Sequence, residues 1–135
     1  MMSNNKVFKA EVKCSYPEWW RYNVFMTAAC FDAGDRISDY LTLTDKVYEP
    51  GDGSEVRTSP AGYDPVRPLV LQTPPCDHAD VYVYVIANTF PVSASIKDSP
   101  PFEIELLASA GGGRPGTTVY KVNQWGGLTL KQTLG

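Results

Sequence analysis

The residues best suited to chemistry lie together at positions 76–80. The segment Cys76-Asp77-His78-Ala79-Asp80 places the only histidine of the chain beside a thiol and a carboxylate. A catalytic thiolate needs a base beside it, and that base must be oriented by a third group and served by oxyanion donors. Residues this close in sequence seldom reach that geometry, and the same types are common in turns. The sequence therefore favours turn and strand-cap roles here, and we expect no enzymatic activity.

Metal binding has only weak candidates. A structural zinc site normally uses four Cys or His ligands, and the chain has three cysteines and one histidine with no Cys-x-x-Cys pair. Calcium needs only clustered oxygen ligands. The acidic residues that fall in predicted loops are Asp32, Asp35 and Asp39, then Asp52 and Glu55, then Asp77 and Asp80. Their spacing matches no calcium loop, and Asp commonly caps turns, so the sequence predicts no metal and no cofactor.

Aromatic residues give a stronger indication of binding. Tyr16, Trp19, Trp20 and Tyr22 crowd a short connection between two predicted strands. Flat amphipathic rings can stack on sugars or on proline-rich peptides, and Trp and Tyr are enriched at binding hot spots. The alternative is that Trp19 or Trp20 closes the end of the core, since Trp is often largely buried.

A second aromatic set belongs to residues 80–88, where Val alternates with Tyr. In an extended strand, one face carries Val81, Val83 and Val85, and the other carries Tyr82, Tyr84 and Ile86. The valines suit a core, which leaves the two tyrosines on the outside. A monomer usually covers such an apolar surface. We expect the cover to be the segment 49–68, with another subunit as the alternative.

The elements that carry these residues are short strands. Alternating or apolar runs predict strands at 7–14, 23–31, 39–48, 69–72, 80–88, 92–96, 102–107, 117–122 and 128–130, with a short edge strand near 55–58. Residues 23–31 are apolar on both faces, which predicts a central strand. The best helical candidate is a single turn at 17–22. Residues 49–68 form a long loop rich in Pro and Gly.

This pattern predicts an all-β fold of one domain over residues 1–135. Eight or nine strands at even spacing favour an antiparallel β-sandwich, Greek-key in path and immunoglobulin-like or C2-like in layout. The likeness is one of layout only, because no family motif matches. Residues 1–6 are expected to be disordered.

Composition excludes some partners. The net charge is −3 with scattered basic residues, which argues against nucleic acid. No apolar stretch is long enough for a membrane span or a secretory signal, so we expect a soluble, cytoplasmic protein, or a secreted or periplasmic one if a signal has been removed. Cys14, Cys30 and Cys76 are expected to be reduced, with a Cys14–Cys30 bridge as the alternative in an oxidising compartment.

The leading functional hypothesis is a non-enzymatic module for binding or assembly. It would engage a protein partner, or itself, through aromatic loops or the apolar sheet face. One alternative is a carbohydrate-binding module that uses Trp19, Trp20 and Tyr22. Another is a calcium-dependent, C2-like membrane-binding domain, although net acidity and few basic residues oppose unaided binding to anionic lipid.

Overall fold

The structure, a computed structural model, describes residues 5–49, 59–88 and 100–135. These residues contain eight strands in two antiparallel four-stranded sheets. The strands are β1 (Phe8–Lys13), β2 (Tyr22–Phe31), β3 (Ile37–Asp45), β4 (Leu69–Gln72), β5 (His78–Ala87), β6 (Phe102–Ala110), β7 (Gly116–Val122) and β8 (Leu128–Leu134). The predicted all-β class and antiparallel sandwich are confirmed.

Each sheet combines strands that are distant in sequence. The first sheet has the order β4-β1-β6-β7 and the second has the order β3-β2-β5-β8. Only β2–β3 and β6–β7 are consecutive neighbours within one sheet, so the other connections between described strands pass from one sheet to the other. The Greek-key path and the immunoglobulin-like or C2-like layout stay predictions.

The core lies between the inner faces of the two sheets, as the alternation predicts. In β1 the side chains of Phe8, Ala10 and Val12 are buried, and Lys9 and Lys13 are exposed. In β5 the residues Ala79, Val81, Val83 and Val85 are buried in the same core. Apolar side chains from all four central strands, β1, β2, β5 and β6, contribute most of the cluster. Their removal from water supplies the main favourable term in folding.

The strand predicted to be central is central. β2 pairs with β3 on one side and with β5 on the other over nearly its full length. A strand with a neighbour on each edge has its backbone N–H and C=O groups satisfied by hydrogen bonds to both of them. The Val/Tyr strand β5 lies next to it, between β2 and β8.

Several local expectations need correction or fall outside the described residues. Lys6 is ordered, because its backbone exchanges two hydrogen bonds with that of Cys76, at 2.8 and 3.0 Å. The predicted helical turn is a 3₁₀ turn at Trp19–Arg21. The predicted strands at 55–58 and 92–96, and Asp52 and Glu55, lie outside the described residues. Among the residues that are described, no helix has the length and hydropathy to cross a membrane.

Candidate interaction surface

The outer face of the second sheet carries the aromatic residues that the β5 pattern predicted. Because Val81, Val83 and Val85 point into the core, Tyr82, Tyr84 and Ile86 point outward. The two tyrosines are half-buried and Ile86 is 46 % exposed. We call the outward-facing set Phe25, Tyr40, Tyr82, Tyr84 and Ile86 the aromatic face.

Strand register places these side chains side by side. Phe25 of β2 pairs with Tyr84 of β5, and Thr27 pairs with Tyr82. Tyr40 of β3, 60 % exposed, pairs with Ala29 at the far side of β2. Directly opposed side chains in a sheet lie about 5 Å apart and contact one another. The outward positions therefore form one continuous surface across four strands.

Threonines fill five of the other outward positions of this surface, namely Thr27, Thr42, Thr44, Thr129 and Thr133. Thr42 and Thr44 of β3 oppose Thr27 and Phe25, and Thr129 of β8 opposes Tyr84. Thr combines a methyl group with a hydroxyl and is well suited to a pleated surface. The face is accordingly amphipathic and largely uncharged.

Two ionised groups of this face, Asp80 and Lys131, are paired with each other. Lys131 of β8 lies opposite Tyr82, with its Nζ 5.8 Å from the centre of the tyrosine ring and 3.7 Å from Oδ2 of Asp80. The Thr133 hydroxyl donates to Oδ1 of Asp80 at 2.7 Å. A lysine whose charge is matched locally and whose ammonium group lies over an aromatic ring adds little repulsion to an approaching partner.

The outer face of the first sheet has the opposite character. Its outward positions include Lys9, Glu11 and Lys13 on β1, Glu103 and Glu105 on β6, and Lys121 on β7. Charged side chains of both signs interspersed in this way are typical of a solvated surface. The two outer faces of one sandwich therefore differ strongly in polarity.

A tryptophan that the sequence reasoning did not single out lies close to this surface. Trp125, 40 % exposed, belongs to the tight turn between β7 and β8, where Asn123 Oδ1 accepts hydrogen bonds from the backbone N–H groups of Trp125 and Gly126. Gly127 of the same turn packs against the backbone of Val85 and Ile86. The Asn-x-Trp-Gly-Gly spacing, typical of a turn, was the signal that could have drawn attention to it.

The aromatic residues before β2 are structural. Trp19, Trp20 and Tyr22 are at most 7 % exposed, and Tyr16 is half-buried. Tyr16 stacks on Phe102 with 4.2 Å between ring centres, and Trp19 and Tyr22 pack around the same ring. These rings close one end of the sandwich. The stacking platform expected from Trp19, Trp20 and Tyr22 is therefore not on the surface.

A buried arginine anchors the last residues of the segment 49–68, which was expected to cover the tyrosines; residues 50–58 of that segment lie outside the described residues. Arg67 donates to the backbone oxygens of Trp19 and Tyr22 at 2.8 and 2.6 Å, and to Oδ2 of Asp45 at 2.6 Å. Its guanidinium lies 4.9 Å from the Trp19 ring. Arg67, just before β4, is thus tied to the end of the sandwich that Trp19 closes. Local sequence does not indicate this role, because Arg67 lies among turn residues.

The cysteine and histidine of the 76–80 segment face different environments. Cys76 is buried in the core, whereas His78 lies on the outer face of the sheet and stacks on Phe31. The two ring nitrogens of His78 lie 2.8 Å from an Asp77 oxygen and 3.0 Å from an Asp35 oxygen. The hydrogen bond with Asp77, and after it the nearby charges of Asp35 and Asp80, raise the pKa of His78. No thiol–imidazole pair forms.

The candidate calcium ligands have turn and pairing roles. Asp32 Oδ1 accepts the backbone N–H groups of Gly34 and Arg36, which lowers the pKa of this carboxyl. Asp39 accepts the N–H of Tyr40, and the other candidates are the His78 and Lys131 partners already described. Within residues 5–49, 59–88 and 100–135, no three His, Cys, Asp or Glu side chains are grouped to hold a metal ion.

Comparison with known proteins adds no assignment. The chain has no match among protein-family models, curated proteins or solved structures.

Proposed function

We propose that this protein is a non-enzymatic β-sandwich module that binds a protein partner, or a second copy of itself, through the aromatic face. The observation that supports this most directly is the contrast between the two outer faces. One carries Lys or Glu at half of its outward positions, and the other carries aromatic residues and threonines around the Asp80–Lys131 pair, with His78 and its carboxylate partners at the start of β5. Large aromatic side chains, rather than scattered charges, contribute most of the energy at protein interfaces.

The dimensions of the face suit this role. Four strands about 4.8 Å apart, with up to about ten residues at about 3.3 Å each, span roughly 19 by 33 Å. That footprint is on the order of the 800 Å² per partner of a standard interface. The tyrosines also have few rotatable bonds, so ordering them in a complex costs little conformational entropy.

The test is association measured on the intact chain and on a variant of the face. Tyr82→Thr combined with Tyr84→Thr keeps strand-forming residues and matches the neighbouring threonines. The matched control is Val119→Thr, a substitution at an exposed position on the other sheet. Sedimentation equilibrium reports self-association, and a pull-down from the native host reports a separate partner.

We expect the double variant to fold with an unchanged circular dichroism spectrum and to bind at least about 30-fold more weakly, since a hot-spot side chain contributes about 2 kcal/mol or more. The control should bind like the wild type. A double variant that associates and captures partners as the wild type does would rule out this face.

The residues that suggested the two alternative functions have other roles in the fold. A carbohydrate platform built from Trp19, Trp20 and Tyr22 is opposed by their burial. Calcium-dependent membrane binding is opposed by the roles of Asp32, Asp35, Asp39, Asp77 and Asp80 in turns and ion pairs. Glycan-array binding, or a rise in melting temperature at millimolar calcium, would restore the respective alternative.

A further inference from the structure

Two of the three cysteines meet inside the core at one end of the sandwich. Cys30, on β2, is fully buried, and Cys76, just before β5, is 2 % exposed. Both belong to the hydrophobic core cluster and both are free thiols, and Cys76 is near enough to Cys30 to raise its pKa. The Thr73 hydroxyl lies 3.9 Å from the Cys76 sulfur. Their spacing in the sequence does not predict that Cys30 and Cys76 lie near each other.

The two cysteines belong to different sheets. Cys30 belongs to the second sheet, where it pairs with Ala79. Cys76 extends the first sheet, because its backbone bonds to Lys6 just before β1. The Asp77 N–H, one residue after Cys76, donates to the Phe31 oxygen, one residue after Cys30, at 3.0 Å. This hydrogen bond joins the two chain segments that carry the cysteines.

Cys14 has no access to either of them. It follows β1, where its sulfur lies 3.6 Å from the Glu103 oxygen and 3.4 Å from the Tyr16 nitrogen. Tyr16 packs on Tyr22 at the start of β2, and Cys30 lies eight residues further along that strand, which is about 26 Å at 3.3 Å per residue. A disulfide needs Cα atoms within about 7 Å, so the Cys14–Cys30 bridge considered from the sequence is excluded by this fold.

We propose that Cys30 and Cys76 are a disulfide site that links the two sheets when the chain folds in the presence of a small-molecule disulfide. One protein thiolate attacks a sulfur of glutathione disulfide, which forms a mixed disulfide and expels one glutathione thiolate. The second protein thiolate attacks the protein sulfur of the mixed disulfide and expels the other glutathione. The two cysteines lose two protons and two electrons, and glutathione disulfide leaves as two thiols.

The bond forms during folding rather than in the finished core. Burial, and then the neighbouring Cys76, raise the pKa of Cys30 to about 12, so little thiolate exists in the folded state. The thiolate is the attacking species, and the closed core also excludes glutathione. The native reduced protein should therefore resist oxidation that the refolding chain undergoes readily.

Peptide mapping of refolded protein tests this directly. Reduced, unfolded chain is refolded with glutathione disulfide and glutathione, alkylated and digested with trypsin. The tryptic peptides 14–21, 22–36 and 58–97 each carry one cysteine, so every possible pairing gives a distinct mass. We expect the 22–36 and 58–97 peptides to be linked and Cys14 to be alkylated. A linkage through Cys14, or three alkylated cysteines, would overturn the proposal.

Thermal melting of the same sample gives a second readout. The bond closes a loop of about 46 residues, and a link of that size should raise the melting temperature by about 5–15 °C. The Cys14→Ser variant should keep this rise, whereas Cys76→Ala should lose both the rise and the linked peptide. If Cys76→Ala does not fold, the wild-type peptide map decides alone. If the oxidised sample melts at no higher a temperature than the reduced one, the Cys30–Cys76 disulfide does not fit the folded core, and the proposal is contradicted.

Discussion

At the scale of single residues, Gly127 shows how closely the turn between β7 and β8 approaches β5. Its φ is +73°, and an added Cβ would lie 2.0 Å from the Val85 oxygen. The left-handed backbone disfavours any other residue, and the clash with a strand backbone cannot be relieved by a rotamer change. Gly112 has almost the same φ, +76°, but nothing lies within 4 Å of its added Cβ.

We predict that Gly127→Ala lowers the free energy of unfolding by about 3 kcal/mol or more, and that Gly112→Ala lowers it by about 1 kcal/mol, since only the first adds a clash to the left-handed strain. Urea denaturation of the two variants and the wild type measures both. If the two variants lose the same free energy of unfolding, the turn between β7 and β8 does not pack on β5 as described.

His78 links stability to pH. Its pKa is raised in the folded protein, chiefly by the Asp77 hydrogen bond, relative to about 6.5 for an unfolded histidine. A raised folded-state pKa stabilises the protein fully below the unfolded pKa, and this contribution is lost as the pH rises through the folded pKa.

We therefore expect His78→Gln to lower the melting temperature at pH 5.5 more than at pH 8.5. Asp35→Asn, which keeps the Asp77 bond but removes one neighbouring charge, should show a smaller effect of the same sign. Melting curves at pH 5.5, 7 and 8.5 provide the measurement. A loss in His78→Gln that does not vary with pH would assign the histidine a packing role only.

At the scale of elements, the strands follow the sequence and the connections do not. The alternation in β1, β5 and β6 predicted both the strand positions and the side that each residue faces, because a period of two leaves no other arrangement with one buried face. The segment 59–68 could not be placed in this way. Its position depends on Arg67, whose partners Trp19, Tyr22 and Asp45 are distant in sequence.

Arg67 joins the start of β2, the end of β3 and the residues before β4. We predict that Arg67→Lys lowers the free energy of unfolding by about 2–4 kcal/mol, because an ammonium group cannot reproduce the planar fork that serves four acceptors. The positive φ of Arg67, 47°, strains both residues alike and cancels in the comparison.

Arg114→Lys, in the exposed turn between β6 and β7, is the matched control and should change stability by no more than about 0.5 kcal/mol. Guanidinium chloride denaturation followed by tryptophan fluorescence is suitable, since Trp19 contacts Arg67 and is buried. If Arg67→Lys leaves the free energy of unfolding unchanged, the hydrogen bonds of Arg67 contribute little to stability beyond the packing of its side chain.

At the scale of the whole molecule, most strand pairs join distant parts of the chain. β1 pairs with β4 and β6, β2 pairs with β5, and β5 pairs with β8. Loop-closure entropy must be overcome before such pairings stabilise the chain. We expect folding in about milliseconds to seconds, as for other all-β sandwiches.

Stopped-flow refolding monitored by tryptophan fluorescence measures this folding time. The protein concentration should be low enough that the wild type and the Tyr82→Thr, Tyr84→Thr double variant refold at the same rate. A dominant microsecond phase with full recovery of native fluorescence would contradict it. Rates that rise with protein concentration in the wild type alone would instead report association through the aromatic face.

The sequence by itself determined the all-β class, most strand positions, and the inward valines and outward tyrosines of β5. Each of these depends on local periodicity and on the geometry of one strand. Only the tertiary structure decided which distant residues meet. It placed Trp19 and Tyr22 in the core, separated Cys76 from His78, and brought Phe25 beside Tyr84. Those outcomes follow from strand order and register, which the packing of the whole core selects and no short stretch of sequence encodes.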